Sequence, residues 1–235
     1  TGSGRNYHVL LSQLTGTESA GVVRWYIALS KCASLLRPEV ESHFKLLIAG
    51  IFEFDLNNQP ETTLHAYFEF LVKWVSATNG GYLGACLTKL VRTFLISKEM
   101  ADKQLEDNSG KATFDQLHNA VHRALQEVLK IAPSTTPSLF KTLLESFPHS
   151  RLHATTQQVF VKNMLRISEY VPMLREQVIT AIVERLINVD VEIELKDNEL
   201  LKGSSNKSFS EDDDKDQNFS ETGLNSEAAH KLDIL

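Results

Sequence analysis

PETTLHAYFEFLVKWVSATNGGYLGACLTKLVRTFLI, residues 60–96, is the stretch on which the fold turns. Pro60 closes a turn that begins at Asn57-Asn58-Gln59, and from Glu61 to Thr78 apolar side chains return at three- and four-residue steps: Leu64, Tyr67, Phe68, Leu71, Val72 and Val75. That spacing places them along one side of an α-helix. Asn79-Gly80-Gly81 then stops the helix with residues that tolerate left-handed backbone geometry. Tyr82 to Ile96 resumes the helical pattern. With so short a connection the second helix runs back along the first, so the segment predicts an antiparallel helix pair.

Upstream, Ala20 to Leu36 carries the apolar stripe Val22, Tyr26, Leu29, Ala33 and Leu36 and ends at Arg37-Pro38. Proline disfavours helical geometry in the residue before it and is itself at home at a helix start. Pro38 accordingly opens a helix with Val40, Phe44, Leu47, Ile48, Ile51 and Phe52 facing inward. Downstream, the polar run Ser97 to Lys111, with Asn108-Ser109-Gly110, predicts a longer loop. Helices follow over Thr113–Ile131, with Phe114, Leu117, Val121, Leu125, Val128 and Leu129 on one side, and over Pro137–Phe147. His153–Tyr170 and Pro172–Asn188 form a last pair.

The expectation is an all-α, HEAT/armadillo-like solenoid over residues 1–200, with about four antiparallel helix pairs of roughly 40 residues each. The period rests on turn placement, since no residue signature recurs, and a compact irregular helical domain is the alternative. From Leu201 the chain turns rich in Ser, Asp, Glu and Asn, with too few apolar residues to offset the entropy of ordering. Residues 201–228 are therefore expected to form a disordered acidic loop, and residues 229–235 (AHKLDIL) the start of a further helical repeat. Asp190 to Leu235 holds 13 acidic and 5 basic residues, whereas the other 189 residues hold 17 and 19. A body so near neutrality has no basic stripe of the DNA-binding type. Arg151, Lys162, Arg166, Arg175 and Arg185 cluster in the last helix pairs, but no aromatics that would stack bases are interleaved with them, so direct nucleic-acid binding is expected to be weak or absent.

The chain carries no phosphate-binding glycine loop, nucleophile elbow or zinc-protease motif, which points away from an enzyme and from a bound cofactor. His118 and His122 stand four apart but lack a third ligand, and a solvated face beside Arg123 is the expected setting. Cys32 and Cys86 lie in apolar helical segments, read as buried small hydrophobes in a reducing compartment. Ser208 and Ser210 have acidic residues three positions on, Glu211 and Asp213, as an acidophilic kinase prefers. The longest apolar run, Leu46 to Phe54, falls far short of the roughly 20 residues a membrane-spanning helix needs.

The most informative stretch is Phe147 to Ile193. It contains Phe147-Pro148-His149, an Asn163-x-Leu165 helix, Tyr170-x-Pro172-x-Leu174 at a helix junction, and Arg185-Leu186 followed by Asp190-Val191-Glu192-Ile193. These elements resemble the RNA polymerase I-specific transcription initiation factor family known as TIF-IA. Looser similarity continues through SATNGGYLGACLTKLVRTF (residues 76–94) and into AHKLDIL. The resemblance implies a HEAT-repeat fold and a nuclear and nucleolar location. It further implies binding to RNA polymerase I near its stalk and a bridge from there to core promoter factor subunits. It also makes the acidic segment an insertion between repeats and this sequence the amino-terminal part of a longer factor. Regulation through surface serines and threonines is implied as well, with Ser76, Thr78 and Thr88 as candidates. A general HEAT or armadillo scaffold, such as a transport adaptor, is the competing reading.

Overall fold

The structure is a computed structural model, and it describes residues 19–97 and 108–205, without side chains at 19, 108–113 and 192–205. Within these residues the regular structure is entirely helical. In chain order the α-helices are α1 (Ser19–Cys32), α2 (Glu41–Glu53), α3 (Glu61–Ala77), α4 (Leu83–Arg92), α5 (Asn108–Ile131), α6 (Thr136–Glu145), α7 (Ala154–Tyr170) and α8 (Arg175–Ser205). Short 3₁₀ turns at Ala33–Leu35, Pro38–Val40, Pro133–Thr135 and Pro172–Leu174 join them. Three of those turns begin with proline, whose fixed φ suits the first position of a helix. None of the helices is long and apolar enough to cross a membrane.

The chain divides into two compact units, 1–146 and 147–235. In the first, α3 packs between α1 and α5, while α4 touches α2 and α6. First helices of successive pairs therefore line up in one layer and second helices in another, the arrangement of a helical solenoid. The second unit is built on the α7–α8 pair.

At the centre of the first unit, α3 begins after Pro60, whose carbonyl accepts from Thr63 N (2.9 Å) and Leu64 N (3.1 Å). It ends with Gly80 N donating to Val75 O (2.9 Å), with Asn79 and Gly80 at φ 50° and 81°. These are the left-handed conformations anticipated for that stop. Gly81 is required for a different reason: a Cβ there would lie 2.7 Å from Pro38 Cγ.

Side chains of α3 and α4 also satisfy the carbonyls that helix ends leave open. Trp74 Nε1 donates to Leu36 O (2.8 Å), Tyr67 OH to Ile51 O (3.0 Å) and Lys89 Nζ to Phe54 O (2.7 Å). Each bond ties the end of one helix pair to the next. Around them lies an aromatic core in which Tyr26 meets Tyr67 edge-on at 5.1 Å and Trp74 stacks on Phe70 (5.4 Å) and Phe52 (5.5 Å). Such pairs contribute beyond the area they bury.

Two boundaries differ from expectation. α5 starts at Asn108, so Asn108-Ser109-Gly110, read as loop, belongs to a helix. α8 runs on past Asn188 to Ser205, into the segment whose composition reads as disordered. Local polarity marked both stretches as loop, but a helix already nucleated adds residues at little further cost. Residues 206–228 and the expected repeat start at 229–235 lie outside the described residues.

Candidate functional site

The resemblance-bearing residues of the second unit converge on the loop that leads into α7. Phe147 stacks edge-on against Phe160 of α7 at 5.4 Å, and the Arg185 guanidinium of α8 sits 5.7 Å from the Phe147 ring centre. Arg185 Nη2 also donates to Pro148 O at 3.0 Å, and Pro148 is buried. Beyond Pro148, His149 Nδ1 accepts from Arg151 N (3.2 Å). Gln157, fully buried, donates from Nε2 to Ser150 O (3.1 Å) and Leu152 O (3.0 Å). His153 caps α7, its Nδ1 accepting from Thr155 N at 3.3 Å.

Asn163 and Leu174 are buried, and Asn163 Nδ2 donates to Val159 O at 2.7 Å. Burial raises the Tyr170 hydroxyl well above its usual range, with the nearby Arg166 charge acting in the opposite sense. Leu186 is half-buried, whereas Pro172, Asp190 and Val191 are exposed. Glu192 and Ile193 continue the helical backbone of α8. Sequence reasoning grouped Arg185 with outward-facing solvated charges, and the structure corrects this. Arg185 is half-buried against an aromatic ring and a carbonyl, while Arg151, Lys162, Arg166 and Arg175 are exposed.

In the first unit, an open groove of ≈ 390 Å³ runs between α3 and α5. Phe68, Val72, Ala120 and Ala124 form its apolar lining, the two alanines making room on the α5 side. Charged side chains edge it in pairs: Glu69–Lys73 (2.6 Å), His65–Glu69 (3.7 Å) and Glu61–Arg123 (4.0 Å). The hydrogen bond from Lys73 holds the Glu69 carboxyl below its ordinary value, helped by the charges of Lys73 and His65 and opposed by slight burial. The groove can receive apolar side chains; it brings together no nucleophile and base in hydrogen-bonding reach of the kind that covalent catalysis uses.

His118 and His122 are buried rather than solvated, a second correction. Both rings pack on Phe94, with centroids 5.5 and 5.1 Å away. Among the described residues no cluster of three or more His, Cys, Asp or Glu is placed to hold a metal ion. Cys86 is buried as expected, which pushes its thiol up to about 12, but Cys32 is exposed at the end of α1. Of the modification candidates, Ser76 is exposed, while Thr78 Oγ1 donates to Trp74 O (2.7 Å) and Thr88 Oγ1 to Gly84 O (2.9 Å) within their own helices. Ser208 and Ser210 lie outside the described residues.

The chain matches the family described as RNA polymerase I specific transcription initiation factor RRN3 over residues 3–233. It is 30% identical over 184 residues to the RNA polymerase I-specific transcription initiation factor RRN3 of Mus musculus, covering 75% of this chain and 27% of that protein. Against the corresponding rrn3 of Schizosaccharomyces pombe, identity is 26% over 157 residues, covering 67% of this chain and 24% of that protein. The crystal structure of RNA polymerase I transcription initiation factor Rrn3 superposes with a TM-score of 0.70 over 99% of this chain and 42% of that chain, at 18% identity, a likeness of fold. The chain thus spans about a quarter of the length of these two curated relatives.

Proposed function

The chain belongs to the RNA polymerase I-specific transcription initiation factor RRN3 family, and from that membership we propose that the protein binds RNA polymerase I and bridges it to promoter-bound core factor at ribosomal RNA genes. The observation that carries this reading is the family match across nearly the whole chain, residues 3–233. The fold supports it, because stacked helix pairs expose a long surface on which two large partners can dock at once. The polymerase contact is placed at the stalk region, and the site of action in the nucleus and nucleolus. The protein acts by holding its partners together and takes no catalytic step of its own. The body's near balance of charge, 17 acidic against 19 basic residues before Asp190, favours protein partners over a nucleic acid backbone.

The test uses the full-length protein, immobilised and exposed first to purified RNA polymerase I and then to core promoter factor. Retention of the polymerase followed by polymerase-dependent recruitment of the core factor is expected. Failure to retain polymerase overturns the proposal; retention without recruitment removes the bridging role alone.

A further inference from the structure

The two units meet at Ser146 and Phe147, and the loop that follows is fastened in an unusual way. Each of its anchors comes from α7 or α8. Arg185 reaches back across 37 positions to donate to Pro148 O and to cover the Phe147 ring. Phe160 closes the other side of that ring. Gln157 holds two further carbonyls of the loop, Ser150 O and Leu152 O, and Leu152 N donates to His149 O at 2.9 Å. On the near side, the last backbone bond of α6 is Ser146 N to Thr142 O at 3.0 Å.

We infer that Phe147, Pro148 and Arg185 form a clasp that makes residues 147–153 a rigid part of the second unit and confines the pivot of the chain to Glu145 and Ser146. The physical reason is the character of the bonds. A guanidinium donating to a carbonyl while stacked on an aromatic ring joins a charge-assisted hydrogen bond to a cation–π contact, both strengthened by partial burial. The planar fork suits both tasks at once, which an ammonium does not. Arg185 is thus a positioning residue: it gives the loop one conformation without itself meeting a partner.

Limited proteolysis with hydrogen exchange, on the whole chain, tests this. In the wild type, chymotrypsin at Phe147 and Leu152 and trypsin at Arg151 should cut slowly although Arg151 and Leu152 are exposed, because cleavage requires the loop to open. Glu-C at Glu145 should cut faster than any of these. Arg185→Ala should raise cutting at 147–152 on the order of tenfold and erase protection of the Leu152 amide, leaving α3 amides unchanged. Arg185→Lys should fall between. Equal cutting in wild type and Arg185→Ala would overturn the inference. If Arg185→Ala does not fold, the wild type still decides: fast exchange and rapid cleavage throughout 147–153 would overturn the clasp, and slow cleavage there beside rapid cleavage at Glu145 would uphold it.

Discussion

In α3, nine residues are buried, among them Leu64, Tyr67, Phe68, Phe70, Leu71, Trp74 and Val75, which together go most of the way round the helix. In α8, Val178, Ile182 and Val189 are buried, whereas Ile179, Val183, Ile187 and Val191 keep 47–57% of their surface exposed. Both helices are apolar on more than one side. The difference lies in their neighbours: α3 has α1 and α5 on either flank, and α8 packs on α7. In a solenoid, burial is set by how many repeats a helix touches as much as by its own residues.

The sharpest way to break this contrast is Trp74→Ala. Trp74 is fully buried, contacts Phe52, Phe70 and Tyr82, and caps Leu36 O. Its removal leaves a large cavity and an unmet carbonyl, so urea unfolding followed by circular dichroism should show a loss of about 3–5 kcal/mol. Val183→Ala, on the exposed side of α8, should stay within about 0.5 kcal/mol. Comparable losses at the two positions would contradict the enclosed setting of α3.

Alkaline pH probes the same core. Burial raises the hydroxyls of Tyr26 and Tyr67, and moves the Cys86 thiol from 9.0 to about 12. In the window between ordinary and raised values the unfolded chain has lost protons that the folded chain keeps. Stability from these groups is therefore complete below pH 9 and declines as pH climbs from there. The half-buried Lys89 acts oppositely, since burial lowers it against the pull of Asp55, so over the interval just below 10.5 it adds stability as pH rises. Three raised groups outweigh one lowered group. Melting temperature should fall steadily between pH 9 and 11, and Cys86→Ala should delay the onset.

Gly81→Ala comes next in size. The new methyl would press on the ring of Pro38, which cannot swing aside, and a loss of about 1–3 kcal/mol is expected in the same unfolding assay. Gly84→Ala, where nothing lies within 4 Å of the added Cβ, is the matched control and should not destabilise.

These positions show which parts of the molecule could be read from sequence. The helix pairs were legible because their punctuation is local: Pro38, Pro60, Asn79-Gly80-Gly81 and Pro133 act through φ/ψ limits that need no knowledge of the rest of the chain. The inward stripe of α3 was legible for the same reason. His118 and His122 were misjudged because only the neighbour, Phe94, makes their side of α5 an interior one. Cys32 was misjudged in the opposite sense, since α1 turns that position outward just as its last turn tightens into 3₁₀ geometry. Arg185 looked like one more surface charge, and its partners Phe147 and Pro148 lie too far back in the chain for any periodicity to connect them. The motif residues were visible as a resemblance; the contacts that explain several of them were not.

The smallest effect belongs to the exposed edge of α3. Glu69 bonds Lys73 at 2.6 Å, with both side chains about half exposed, so water and salt screen most of the attraction. Because the folded carboxyl titrates below its ordinary 4.5, its contribution is present above that value and vanishes as pH falls through the lowered one. Glu69→Gln should cost only a few tenths of a kcal/mol at neutral pH, and less in roughly 1 M salt. An exposed i, i+4 pair also has to hold two long side chains in one geometry, and that entropy consumes much of the gain. Should Glu69→Gln instead approach the loss from Gly81→Ala, the edge of the α3–α5 groove would be as tightly determined as the interior, and the division between enclosed and open faces would have to be drawn elsewhere.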